Sequence, residues 1–278
     1  MQNAGVIKEY LYTIAVSAPG VLLFGLWLCK TSLGTKALKN SPPRRNNMPL
    51  YAPFLPLLIW IMTLATATFF KETLLPELHD WQNAFIENVI LCIAAVAAMA
   101  VILFLANSTF ARRLKGFGLD MANIGGDFLA AMLNLVCAWP LVMITIIVTV
   151  FFGELLFGPE FQLQQHEELE MIKVYTQPSL RVLIIVTAVF IVPVFEEMLF
   201  RGLFQTMLRS LLGRPWLSVI ISSALFASVH SNPQHWPALL VLALFMGYAY
   251  EKSGSLFRPV FIHSLFNAVS ITSALYLQ

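Results

Sequence analysis

The sequence predicts an all-α, polytopic membrane helix bundle with about eight transmembrane helices, and its composition and long apolar segments carry that prediction. Of the 278 residues, 58% are hydrophobic and 12% are charged, with a mean hydropathy of +0.76, whereas soluble domains contain about 25% charged residues. The net charge is +2, without a basic tail or stripe, which excludes nucleic acid as a partner. We expect a multi-pass integral membrane protein in contact with the lipid bilayer, in the cell membrane if the source is bacterial.

Eight apolar segments separated by polar loops define the candidate helices, since a membrane span needs roughly 20 apolar residues. The two shortest segments fall below that length, so we expect them to be short, bent or buried among the other helices. The eight segments are 10–29, 50–70, 87–107, 128–152, 182–208, 216–230, 236–250 and 258–277.

Charge is distributed unevenly among the loops, and cytoplasmic loops collect Lys and Arg. Twelve of the seventeen basic residues fall in alternate loops, which predicts that these loops lie inside and that both termini lie outside. Ten of the fifteen acidic residues fall on the opposite side, including the run Glu167, Glu168 and Glu170, which we interpret as a solvated loop helix. The twelve basic residues are Lys30, Lys36, Lys39, Arg44, Arg45, Arg112, Arg113, Lys115, Arg209, Arg214, Lys252 and Arg258.

Composition divides the chain into three parts. Residues 1–152 form an N-terminal four-helix membrane region without a motif that assigns it a role, and residues 153–180 form a polar connecting segment. Residues 181–278 contain the ionisable residues that lie inside apolar segments, where water cannot solvate them. Because such groups inside a membrane mark functional sites, the site is predicted in this last part.

The stretch VPVFEEMLFRGLFQ, residues 192–205, places three ionisable side chains in an apolar helix. Glu197 and Arg201 are four residues apart with the acid first, so they share a helix face and are predicted to form a supporting ion pair. Glu196 lies about 100° around the helix, so its partner must come from another helix. Pro193 introduces a break that would open this helix to water.

Two further helices offer polar groups. His230 ends the stretch FASVH, while His263 and Asn267 are four residues apart and share one face of the stretch FIHSLFNAV. Glu196 and His230 lie seventeen residues before and after Gly213, so an antiparallel pair of helices would place them at similar depth. We expect these groups to converge near the inside end of the last four helices.

Hydrolysis without a cofactor is the chemistry that this set of residues favours. A desolvated Glu196 can act as general base on a water molecule, with an imidazole to share the proton. An amide donor such as Asn267 and a second imidazole can stabilise the oxyanion that forms at an attacked carbonyl.

Two alternatives use the same residues. The first is zinc catalysis with Glu196, His230 and His263 as ligands, since catalytic zinc sites have three protein ligands and a water. The motif HExxH is absent, and the three cysteines stand singly in apolar segments, so no ligand spacing favours a metal. The second is a non-catalytic peptide-binding or transport protein that uses the same polar cavity.

The motifs together resemble the CPBP intramembrane proteases, a family related to the type II CAAX prenyl endopeptidases and the Abi proteins. The resemblance covers about residues 180–275. It rests on EExxxR (Glu196, Glu197, Arg201), FxxxH (Phe226, His230) and HxxxN (His263, Asn267).

This resemblance implies an intramembrane endopeptidase that hydrolyses a peptide bond of a membrane-associated peptide or protein. It implies that Glu196 activates water together with His230, and that His263 and Asn267 form the oxyanion hole. Glu197 and Arg201 take the supporting positions. Members of the family have also been described as metalloproteases, so the resemblance leaves the zinc alternative open.

Overall fold

The protein is described by a computed structural model that covers residues 17–75, 77–164 and 167–276. Within these ranges the chain is helical, with one isolated β-bridge between Asn46 and Phe110 and no strand. The all-α class is therefore confirmed, while residues 10–16 of the first predicted segment lie outside the described ranges. The helices are α1 (Ser17–Lys30), α2 (Phe54–Leu74), α3 (Asp80–Thr109), α4 (Arg113–Phe117), α5 (Ile124–Phe157), α6 (Glu167–Val174), α7 (Pro178–Leu212), α8 (Pro215–Ser228), α9 (Trp236–Ser253) and α10 (Phe257–Tyr276).

Four of the described helices are long and apolar enough to cross a membrane. They are α2, α3, α7, and α5 together with the 3₁₀ turn that precedes it. Helices α1 and α8 are apolar but shorter than a full span. The protein is thus an integral, multi-pass membrane protein, and the total of eight spans stays a prediction.

Proline and glycine set the ends of the helices in the carboxy-terminal part. Pro178 and Pro215 stand in the first turns of α7 and α8, where the missing N–H costs nothing. Gly213 ends α7 at a φ of 67°, a left-handed conformation that glycine adopts without steric cost. Helices α7 and α8 are therefore joined by a tight turn and run antiparallel.

The buried core surrounds α7. It includes apolar side chains from α3, α5, α8, α9 and α10, with Phe117 of α4 packed into it. Large apolar side chains elsewhere point outward, for example Leu58, Ile61 and Met62 on α2. Because a lipid bilayer is apolar, these outward faces are the surface expected of a membrane bundle.

The loops predicted to lie inside, which hold the twelve basic residues from Lys30 to Arg258, meet at one end of the bundle. We call this end the basic end. There the ammonium group of Lys252 donates to the carbonyl of Ala37 at 2.8 Å. The backbone N–H of Leu256 donates to the carbonyl of Gly118 at 2.9 Å. Loops that are far apart in sequence therefore share one end, as the charge pattern predicted.

The opposite end gathers other polar contacts. Lys71 at the end of α2 pairs with Glu87 near the start of α3 at 2.8 Å. The backbone N–H of Gln164, after α5, donates to the side-chain carbonyl of Gln234, between α8 and α9, at 3.1 Å. The segment after α5 and the loop between α8 and α9, both predicted to lie outside, are thus in contact.

Candidate active site

A fully buried ion pair supports the site. The guanidinium Nε of Arg201 lies 2.9 Å from Oε2 of Glu197, and both side chains are 0% exposed. Arg201 also donates to the hydroxyls of Ser222 and Ser223, at 3.4 and 3.3 Å. The pairing predicted from the four-residue spacing is therefore present. Each buried charge is paired with an opposite charge, which offsets part of the cost of its desolvation.

His263 of α10 lies between the two adjacent glutamates of α7. Its Nδ1 is 3.2 Å from Oε1 of Glu197, and its Nε2 is 3.8 Å from Oε2 of Glu196. His263 is therefore a partner of Glu196 from another helix, whereas the sequence predicted only that His230 lies at a similar depth.

The two glutamates differ in their access to solvent. The side chain of Glu196 is 19% exposed and that of Glu197 is 0% exposed. Glu197 is thus enclosed by Arg201 and His263, while part of the Glu196 side chain remains exposed. One position of difference along a helix turns two identical side chains toward different surroundings.

His230 follows the last turn of α8, and Phe226 connects it with the cluster. Nδ1 of His230 lies 2.8 Å from the carbonyl oxygen of Phe226. The Phe226 ring lies 4.9 Å from the His230 ring and 5.7 Å from the His263 ring, measured between centroids. The structure thus brings His230 to the same cluster, next to an aromatic ring that both histidines contact.

Asn267 has a backbone contact that the sequence did not predict. Its Nδ2 donates to the carbonyl oxygen of Ala188 at 2.8 Å. Residues Thr187–Ile191 form a π turn, in which the N–H of Val192 bonds to the carbonyl five residues earlier. The next N–H in that register would belong to Pro193, which has none, so Asn267 supplies the hydrogen bond that Pro193 cannot make.

A second buried polar network lies between the cluster and the basic end. Glu251 of α9 accepts hydrogen bonds from Arg209 at 3.0 Å and from Gln205 at 3.4 Å, and pairs with Arg44 at 3.6 Å. Sequence reasoning missed this network, although Glu197, Arg201, Gln205 and Arg209 follow each other at four-residue intervals. Residues at this spacing share one face of α7, so the pattern could have predicted a polar face buried against other helices.

The site lies farther from the basic end than the sequence predicted. Phe200 and Phe226, whose ring centroids are 5.3 Å apart, confirm that α7 and α8 are in register near Glu196 and His230. However, Arg209 follows Glu196 by thirteen positions, which is at most about 20 Å along the helix axis. The equal spacing from Gly213 set the relative depth of the two residues and not their distance from the membrane surface.

The zinc alternative can be compared with the arrangement of donor groups. Among the described residues, no group of three or more His, Cys, Asp and Glu side chains is placed to hold a metal ion. His263 uses Nδ1 for Glu197, and His230 uses Nδ1 for the carbonyl of Phe226. These contacts leave Nε2 of both histidines available as a ligand, so zinc dependence stays an alternative for experiment.

Comparison with known proteins gives the family of the segment that contains these residues. Residues 178–269 match the family model described as "Type II CAAX prenyl endopeptidase Rce1-like". This carboxy-terminal segment is therefore similar to the Rce1-like family. The matched residues include all three motifs, so the Rce1-like match implies peptidase activity at the level of the family.

A curated relative extends the comparison. The chain is 32% identical over 120 residues to an uncharacterized 24.3 kDa protein of Escherichia coli. The match covers 41% of this chain and 54% of the relative, so the chain spans about half the length of the relative that it matches. No solved structure matches the chain.

Proposed function

We propose that the protein is an intramembrane endopeptidase in which Glu196 activates a water molecule to hydrolyse a peptide bond. The observation that carries the proposal is the placement of a partly exposed carboxylate 3.8 Å from an imidazole nitrogen. The other nitrogen of that imidazole is held by the buried pair of Glu197 and Arg201. The match of this segment to a peptidase family supports the same chemistry.

The hydrogen bonds of His263 determine which of its nitrogens carries the proton. Glu197 is ionised because it is paired with Arg201, and an ionised carboxylate only accepts hydrogen bonds. The proton of a neutral His263 therefore sits on Nδ1, which leaves Nε2 as an acceptor facing Glu196. A water about 2.8 Å from both Nε2 and Oε2 would lie beside the line that joins them, within reach of both bases.

His230 is prepared in the same way. A carbonyl oxygen only accepts, so Nδ1 of neutral His230 donates to Phe226 and Nε2 is left to accept a proton. We assign His230 to proton sharing with Glu196, and Asn267 to the oxyanion, using the second of its two amide hydrogens. Its first amide hydrogen is engaged by Ala188.

The substrate that fits is a peptide segment associated with the bilayer. The site is enclosed by α7, α8 and α10, and a peptide bond must come to Glu196 inside the membrane layer. The reaction needs no group beyond the residues named and a water molecule, and zinc dependence is the alternative that an experiment has to separate.

The decisive experiment measures cleavage of a fluorogenic membrane-peptide library by the purified protein, with Glu196→Gln beside it. A general base contributes about 10²- to 10⁴-fold, so turnover should fall by at least that range. Glu154→Gln, which removes an exposed carboxylate of α5, is the matched control and should retain full turnover. Both variants should remain in the membrane fraction with unchanged thermal stability.

Repeating the assay with a zinc chelator separates the alternatives. Turnover that survives chelation supports the proposal, whereas loss of turnover would assign Glu196, His230 and His263 to a metal. Full turnover by Glu196→Gln would remove the proposal. Absence of turnover in every sample, together with peptide binding, would favour the non-catalytic protein.

A further inference from the structure

The cluster is sealed on one side along the helix axis. Between Glu197 and the basic end, Arg201, Gln205 and Ser222 are fully buried, and Glu251 is 2% exposed. The hydroxyl of Tyr250, also fully buried, donates to the carbonyl of Phe117 at 2.8 Å. Water and a peptide therefore have no route to Glu196 through these layers.

The other side of the cluster is open. His230 is partly exposed, and Ser231 and Pro233 in the loop after it are exposed. The His230 side of the cluster is therefore exposed, in contrast to the buried layers toward the basic end.

This loop is tied to other residues of the end opposite the basic end. The side-chain amide of Asn232 donates to Oε1 of Gln164 at 3.2 Å, and Nε2 of His235 lies 2.8 Å from the carbonyl of Gln164. Burial lowers the pKa of His235, an effect that the nearby His230 reinforces and the hydrogen bond to Gln164 opposes. The loop is therefore anchored to a connection that the charge pattern assigns to the outside.

We infer that water and substrate reach the site from the non-cytoplasmic side of the membrane. The basic end collects the loops that hold twelve of the seventeen basic residues, which makes it the cytoplasmic end. The sealed side faces that end, and the open side faces away from it. The substrate, if the proposed function holds, is then a peptide segment on the non-cytoplasmic face of a membrane-associated protein, not a cytoplasmic one.

The test of sidedness uses single cysteines and does not depend on activity. In a background with Cys29, Cys92 and Cys137 replaced by alanine, Ser231→Cys marks the loop after His230 and Asn40→Cys marks the basic end. Both positions are exposed. A membrane-impermeant maleimide is added to intact bacterial cells that express each variant, before and after permeabilisation.

We expect Ser231→Cys to react fully in intact cells and Asn40→Cys to react only after permeabilisation. The reverse pattern, or reaction of both positions in intact cells, would overturn the inference. Each variant is compared with the cysteine-free background for insertion and thermal stability, so that a misfolded sample is recognised.

A second measurement links sidedness to catalysis. Sealed membrane vesicles of the two orientations receive the same impermeant fluorogenic peptides from outside. Cleavage is expected in right-side-out vesicles and not in inverted ones, and cleavage confined to inverted vesicles would contradict the inference. Absence of cleavage in both would count against the proposed function alone, because the maleimide pattern decides sidedness by itself.

Discussion

At the scale of single residues, burial decides what each charge of α7 can do. Glu197 is neutralised by Arg201, whose guanidinium also lies 5.3 Å from the centre of the Phe226 ring. Arg201 Nη2 is buried without a hydrogen-bond partner among the described residues. The pair therefore fixes the orientation of His263 at some cost in desolvation, an arrangement that positions Glu196 for the proposed chemistry.

Arg201→Met should destabilise the protein strongly, because it leaves the Glu197 carboxylate buried without its cation. Breaking a buried pair in this way costs about 3–5 kcal/mol. Lys115→Met is the control, since Lys115 and its partner Asp120 are 63% and 40% exposed and such pairs contribute about 1 kcal/mol or less. Thermal unfolding in detergent should show a large decrease for the first variant and a small one for the second, and equal decreases would refute the argument.

Asn267→Ala should lower stability through the carbonyl of Ala188, which would lose its donor at a cost of about 1–3 kcal/mol. In a Pro193→Ala background the backbone regains an N–H in this turn, so the same substitution should cost less. A double-mutant cycle on the unfolding temperature measures this coupling, and additive effects would contradict it. Turnover, in contrast, should fall in both backgrounds if the second amide hydrogen serves the oxyanion.

At the scale of elements, α7 organises the carboxy-terminal helices by close approach. Residues Met198–Gln205 form a second π turn, and Gly202 in it lies against the Phe117 ring of α4. A β-carbon at Gly202 would stand 2.1 Å from Cζ of Phe117, far inside van der Waals contact. The absence of a side chain at this position lets α4 pack on the helix that carries the glutamates.

Gly202→Ala should therefore destabilise the protein by about 1–3 kcal/mol, the usual cost of overpacking a core. Gly125→Ala is the matched control, because a β-carbon there meets no atom within 4 Å. Alanine also favours helix over glycine, so the control should leave the unfolding temperature unchanged or slightly raised. A Gly202→Ala variant as stable as the control would show that the Phe117 ring moves aside freely.

At the scale of the whole molecule, the basic residues orient the bundle in the membrane. Some of them are engaged in tertiary contacts, as Arg44 and Arg209 are with Glu251. Others are exposed at the basic end, including Lys36, Lys39 and Arg112. The exposed residues can be neutralised without breaking the buried network.

Neutralising Lys36, Lys39 and Arg112 to glutamine should produce molecules in both orientations, because the positive charge on short loops sets topology. Maleimide labelling of Asn40→Cys in intact cells would then rise from background to a measurable fraction. Replacing the exposed Glu72, Glu160 and Glu170 by glutamine is the control and should leave labelling unchanged, since acidic residues contribute little to orientation. Unchanged labelling in the basic triple variant would argue against charge as the determinant.

Composition and residue spacing are sufficient to predict the membrane class, the helical fold and the pairing of Glu197 with Arg201. These follow from apolar composition and from spacing along one helix, which are local properties that any helix imposes. The grouping of loops at two ends also followed from charge, because the bilayer sorts basic residues by side. The division of the chain into three parts, with boundaries after residues 152 and 180, stays a prediction.

The helices that supply partners to the glutamates are known only from the packed bundle. His263 contacts both glutamates, and Asn267 donates to the carbonyl of Ala188. Arg44 pairs with Glu251 from a loop more than two hundred residues away in sequence. Periodicity reports the face of a helix on which a residue lies, but not the rotation or depth at which another helix packs against it. Those two quantities depend on the summed packing of all side chains, so the site is assembled only when the bundle is complete.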